Sequence, residues 1–261
     1  MAVSRPVVVL GASNVSRGLA RLIAAVRARS PQPVELLVAA GHGRSYGANS
    51  RVWMRRLPSI LWCGLWRALD RDAASGPGAD RRPHGLITDV GNDLLYGFPV
   101  EQVADWVREA ARRLAAREAT IVMTRLPLAS LDGVGGIRYR LLRTLYVPGC
   151  TLSLDELKAA AFRLDAALVE IAAEFKATVI DQPGDWYGLD AIHLQRACLD
   201  RLWQRACDAW ELPAATTRPR ARYRDWAAVG HRAAEVRVLA GRIRYTRQPV
   251  IERDRLRVSM Y

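Results

Sequence analysis

Two distant groups of side chains in this sequence could together turn a weak hydroxyl into a nucleophile. Ser13 stands in Gly11-Ala12-Ser13-Asn14, and Asp190 precedes His193 by three positions in Gly188-Leu189-Asp190-Ala191-Ile192-His193. A neutral serine attacks a carbonyl poorly unless a base takes its proton, a third group orients that base, and donors receive the developing oxyanion. On a tight turn, Asp-x-x-His can set a carboxylate on Nδ1 of the imidazole and leave Nε2 facing the hydroxyl. The N–H of Ser13, if the serine opens a helix, could receive an oxyanion. Each group alone also has an ordinary explanation. Serine after a Gly-Ala turn is common, and Asp190 could begin a helix with His193 solvated in its first turn.

The elements that must position these residues are legible in the hydrophobic pattern. Residues 7–10 are a β-branched apolar run ending at Gly11, and residues 14–29 place Leu19, Leu22, Ile23 and Val26 at helical spacing, which predicts strand, turn, helix. Residues 34–40 predict a second strand, followed by a glycine-rich loop at 41–47. Residues 51–68 carry Trp53, Leu57, Ile60, Leu61, Trp62, Leu65 and Trp66 on one broad face and predict a helix kinked at Pro58, its tryptophans in the core. A surface loop is expected at 74–83, a third strand at 86–90, a helix at 103–117 and a fourth strand at 119–124. The stretch 128–152 is irregular, with Gly133, Gly135 and Gly136. Ser153 and Glu156 form a capping-box pattern for a long helix to about Phe175, followed by a short strand at 179–181 and a helix at 199–210.

Alternating strands and helices predict a flavodoxin-like three-layer α/β/α fold with a mostly parallel, five-stranded sheet. Chemistry in such sheets collects at the carboxyl ends of the strands. Ser13, the glycine-rich loop, Asn92 and the Asp190/His193 segment each follow a predicted strand. Residues 1–212 are expected to form this domain, and 213–261 a Thr/Pro/Arg-rich linker with a basic extension in which apolar and basic residues alternate.

Four blocks in this order resemble the SGNH (GDSL-like) hydrolase superfamily. Gly11-Ala12-Ser13-Asn14 looks like its first block and Gly43, within Ala40-Gly41-His42-Gly43, like its second. Val90-Gly91-Asn92-Asp93 is similar to the third block, and Asp190 to His193 to the last. Two positions depart from the pattern: Ala12 replaces the usual aspartate, and Val90 stands where glycine is usual. The resemblance implies hydrolysis of a carboxylic ester through an acyl-enzyme, with Ser13 as nucleophile, His193 as general base and Asp190 as its orienter. It further implies an oxyanion hole of the Ser13 and Gly43 N–H groups with the Asn92 amide, Gly41 being the rival to Gly43. Glycine lets an amide approach a substrate closely, and asparagine donates without titrating. Asp93 reads as a cap or turn residue, and His42 as a loop residue.

The rest of the sequence bounds the alternatives. The net charge of +13 comes from arginines spread along the chain, with Lys158 and Lys176 the only lysines, so no specific nucleic-acid partner is expected. Cys63, Cys150, Cys198 and Cys207 form no Cys-x-x-Cys pair, so neither a metal nor a cofactor is expected. The apolar run before Gly11 is too short for a signal peptide, and nothing approaches the roughly 20 apolar residues of a membrane span. A cytoplasmic enzyme acting on a small-molecule, glycan or lipid ester is the expectation. Two other readings stay open: a non-catalytic domain of the same fold, and a dinucleotide-binding protein using Gly11 and Gly18, although the full Gly-x-Gly-x-x-Gly is missing.

Overall fold

The computed structural model describes residues 5–74, 82–147, 149–188, 190–215, 219–231, 234–253 and 255–261. Most of the loop expected at 74–83, Leu189, and part of the linker expected after Pro213 lie outside the described residues.

Strand β1 (Val7–Leu10) is a run of four buried residues, as a central parallel strand covered on both faces requires. Helix α1 (Ser13–Arg29) follows at once, then β2 (Val34–Ala39). A hairpin of β3 (Ser50–Val52) and β4 (Arg55–Leu57) precedes α2 (Leu65–Ala74) and β5 (His84–Ile87). The chain continues through α3 (Asn92–Leu95), α4 (Val100–Ala115), β6 (Thr120–Thr124), α5 (Leu128–Asp132) and α6 (Gly136–Tyr146). After α7 (Leu154–Glu174) and β7 (Thr178–Ile180) come α8 (Arg196–Ala209) and α9 (Tyr223–His231). Strands β8 (Val236–Leu239), β9 (Arg242–Tyr245), β10 (Ile251–Arg253) and β11 (Leu256–Met260) complete it.

The main sheet has the order β10-β11-β2-β1-β5-β6-β7, parallel throughout except for the β10–β11 pair. The five strands from β2 to β7 follow the flavodoxin-like order 2-1-3-4-5. Alternation along β1 divides the core: Val7 and Val9 face α1 and α8, whereas Val8 and Leu10 face the side covered by α2, α4 and α7. The expected capping box opens α7, with Ser153 Oγ accepting from Glu156 N at 3.2 Å and Glu156 Oε2 accepting from Ser153 N at 2.7 Å.

Three elements differ from the sequence reading. The sheet holds seven strands where the pattern predicts five, because β11, in the expected extension, pairs in parallel with β2 from Leu256↔Val34 to Met260↔Val38. Residues 51–57 form a hairpin where helical spacing predicts a helix. Trp53 takes a left-handed φ of 54° at the turn, and β4 pairs with β8, so tertiary pairing overrides the local period. Of the tryptophans expected in the core, only Trp66 is buried; Trp53 and Trp62 are 89% and 75% exposed. The irregular stretch at 128–152 contains the two helices α5 and α6.

Candidate active site

Ser13 is the first residue of α1, directly beyond the turn that leaves β1, and is buried. No side chain of the helix itself caps this end. The missing acceptor comes from the turn after β5: Asp89 Oδ2 accepts the N–H groups of Ala12 and Asn14 at 2.9 Å and of Val15 at 3.3 Å. A carboxylate at a helix N-terminus satisfies orphan donors and complements the helix dipole. The Ser13 N–H is passed over and makes no hydrogen bond among the described residues. Asp89 holds a left-handed φ of 58°, a conformation that aspartate tolerates better than most side chains.

Asn14 carries the long-range connection. Its Nδ2 donates to Asp89 Oδ1 at 2.9 Å and to the Ile192 carbonyl at 3.0 Å, while its Oδ1 accepts from Leu194 N at 2.9 Å. Both neighbours of His193 are thereby pinned to the residue after Ser13. Asp190 grips the histidine twice, Oδ1 accepting its backbone N–H at 2.7 Å and Oδ2 lying 2.9 Å from Nδ1. Burial alone would raise the Asp190 pKa, but the hydrogen bonds and charge of His193, with Arg17, hold it below the ordinary value. The Tyr146 ring meets the His193 ring edge-on, at 5.7 Å between centroids. No hydrogen bond joins Ser13 Oγ to His193; such contacts commonly tighten only when substrate is bound.

The third block sits on α3. Asn92 begins it, and its Nδ2 is buried without a hydrogen-bond partner, an uncommon condition for a native amide. Asp93 is neither cap nor turn residue. Its Oδ2 accepts Tyr46 N at 2.9 Å, strapping the glycine-rich loop to α3, and burial pushes its pKa to about 6. Tyr96 adds a second strap by donating to the Gly43 carbonyl at 2.7 Å. Gly43 has φ +65°, whereas a Cβ at Gly41 would lie 2.4 Å from Leu57 Cδ1, so backbone conformation demands glycine at the first and packing at the second. His42, on the same loop, has a pKa lowered by desolvation, then by the charges of Arg55, His193 and Arg17.

Ser13, Asn14, Asp89, Asn92, Ala191 and Ile192 line one cleft, which continues between the apolar side chains of Leu94, Leu126, Leu128, Leu131 and Leu157. Gly43, Asp190 and His193 are not among its lining residues. Sequence reasoning missed Asp89 and Asn14. The available signal was Ala12, which cannot cap α1 and so demands an acceptor from elsewhere. Gly18, the second glycine of the dinucleotide-like pattern, is a packing position, since a Cβ there would lie 2.7 Å from Trp203 Cζ2. The four cysteines are buried and unpaired.

No protein-family model matches the chain, and no curated protein matches it. Solved structures do resemble it. The psychrotrophic esterase EstA from Pseudoalteromonas sp. aligns over 80% of this chain and 97% of its own, with 15% identity and a TM-score of 0.46. The aryl esterase of M. smegmatis aligns over 79% and 99% with 10% identity and a TM-score of 0.49. A carbohydrate acetylesterase from Sinorhizobium meliloti aligns over 79% and 98% with 11% identity and a TM-score of 0.48. At such identities none of them carries a substrate over to this chain.

Proposed function

We propose that this chain is a serine hydrolase of the SGNH type that cleaves a carboxylic ester through an acyl-enzyme on Ser13. The observation that carries the reading is Asn14: one side chain next to Ser13 holds both neighbours of a histidine whose Nδ1 already faces Asp190. Nδ1–H donating to the carboxylate leaves Nε2 as the basic nitrogen. That nitrogen takes the proton of Ser13 Oγ as the oxygen attacks the ester carbonyl. The tetrahedral oxyanion is received by the Ser13 and Gly43 N–H groups and by Asn92 Nδ2. An unpartnered buried amide supports that role, because it gains its hydrogen bond only as negative charge develops. Collapse expels the alcohol, protonated by His193, and water then attacks the acyl-enzyme with the same base.

The chemistry closes without a metal or cofactor, and the apolar continuation of the cleft suits an acyl chain. The test is turnover of a short p-nitrophenyl ester together with fluorophosphonate labelling. Ser13→Ala is expected to abolish both, and Asn92→Ala to lower kcat by about 10²- to 10³-fold, the usual cost of one oxyanion donor. Turnover undiminished in Ser13→Ala would reject the assignment; a folded wild type inert to both ester and probe would favour the non-catalytic reading.

A further inference from the structure

Helix α6 is amphipathic with its apolar side turned outward. Tyr139 faces the interior and is 6% exposed, with its hydroxyl donating to the Leu152 carbonyl at 2.8 Å. Ile137, Leu141 and Leu145 follow one another at intervals of four, which aligns them on a single face, and they are 72%, 68% and 71% exposed. Such a stripe on a surface helix signals something that covers it.

The charges around the stripe say what kind of surface that is. From Gly133 to Leu154 the chain holds Arg138, Arg140 and Arg143 and no aspartate or glutamate. At 100° per residue, Arg138 and Arg140 flank the stripe on opposite sides. Arg138 donates to the Gly188 carbonyl at 2.9 Å and Arg143 to the Leu152 carbonyl at 3.0 Å, which holds both guanidinium groups at the border of the stripe. An apolar face bordered by arginines is the pattern of a helix lying in the interface of an anionic bilayer. The helix also adjoins the cleft. Tyr146, its last residue, packs on His193, and Leu128 and Leu131 of the preceding α5 line the apolar continuation beside Ser13.

We propose that α6 seats Ile137, Leu141 and Leu145 in an anionic phospholipid surface, so that the substrates are esters presented at a lipid–water interface. The choice of substrate class rests on the hydrolase reading; the docking does not.

Co-sedimentation of the full chain with vesicles of phosphatidylcholine alone, or mixed with phosphatidylglycerol, tests the docking. The wild type is expected to bind the anionic vesicles and to bind the neutral ones more weakly. The variant Ile137→Ser/Leu141→Ser/Leu145→Ser should bind the anionic vesicles about tenfold less or worse, while hydrolysing a soluble p-nitrophenyl ester at the wild-type rate. All three positions are exposed, so the substitutions spare the core, and Ser13→Ala should bind vesicles as the wild type does. Equal binding of wild type and triple variant would overturn the proposal, since the overall positive charge would then account for it. So would absence of vesicle binding with a dimer that the triple variant abolishes, because a second copy would then be the cover. Vesicle binding through α6 by a chain inert to every ester would leave the docking standing and reject the substrate class.

Discussion

At Asp93, the burial that straps the glycine-rich loop also holds a reluctant carboxylate in the native state. Its pKa rises from 3.8 to about 6, so the folded protein binds a proton that the unfolded chain releases between about pH 4 and pH 6. Stability therefore falls as pH rises through that window, and the cost is fully present at pH 7. At about 1.4 kcal/mol per unit, it amounts to about 3 kcal/mol at most. Asp93→Asn keeps an oxygen to accept the Tyr46 N–H and removes the charge. Urea unfolding should find the variant more stable at pH 7 by up to about 3 kcal/mol, with the gap closing toward pH 4. A gap that does not change with pH would show that the carboxylate is not the cause. Asp89, at the start of α1, instead accepts three backbone N–H groups of the helix end.

Helices α1 and α8 pack against each other through a glycine on the helix that Ser13 opens. Gly18 lies under the fully buried Trp203, at a distance that leaves no room for a methyl group. Gly18→Ala sets a helix-propensity gain of about 1 kcal/mol against an overpacking cost of about 1–3 kcal/mol. Overpacking wins, because the obstructing ring is itself enclosed and cannot swing away. The variant is expected to melt a few degrees lower in a thermal scan. An unchanged or higher Tm would mean that the two helices can separate freely. The hairpin of β3 and β4 teaches the same lesson from the sequence side. Its Trp53 and Leu57 stand at helical spacing, yet β4 pairs with β8, more than 180 residues away, and that partner is invisible to a local period.

For the molecule as a whole, the last two strands are part of the sheet. β11 covers the edge of β2, and Val258 is completely buried against that side of the core. The buried Arg44, in the glycine-rich loop, donates to the carbonyls of Ala40 and Pro58 at 3.2 Å and to that of Tyr261. The end of the sheet and the candidate oxyanion loop are therefore one packed unit. Removing residues 249–261 should leave β2 as an exposed apolar edge and give aggregated or unfolded protein by size exclusion and circular dichroism. A soluble monomer melting at the wild-type temperature would contradict this.

What the sequence determined by itself was whatever depends on near neighbours: the buried strand β1, the turn to α1, the capping box of α7, and the Asp-x-x-His turn. It also marked Ser13, Asn92 and His193 as belonging to strand ends, and the alternation of elements was enough to bring those ends to one side of a parallel sheet. Only the tertiary structure decided that Asp89 caps α1 from another strand, that Asn14 ties residue 13 to the histidine segment, and that β11 joins β2. Those contacts bridge separations such as 75 residues, between Asn14 and Asp89, and 180, between Asn14 and Leu194. Over such distances, burial and the satisfaction of orphaned polar groups choose the partner, and no local pattern encodes that choice.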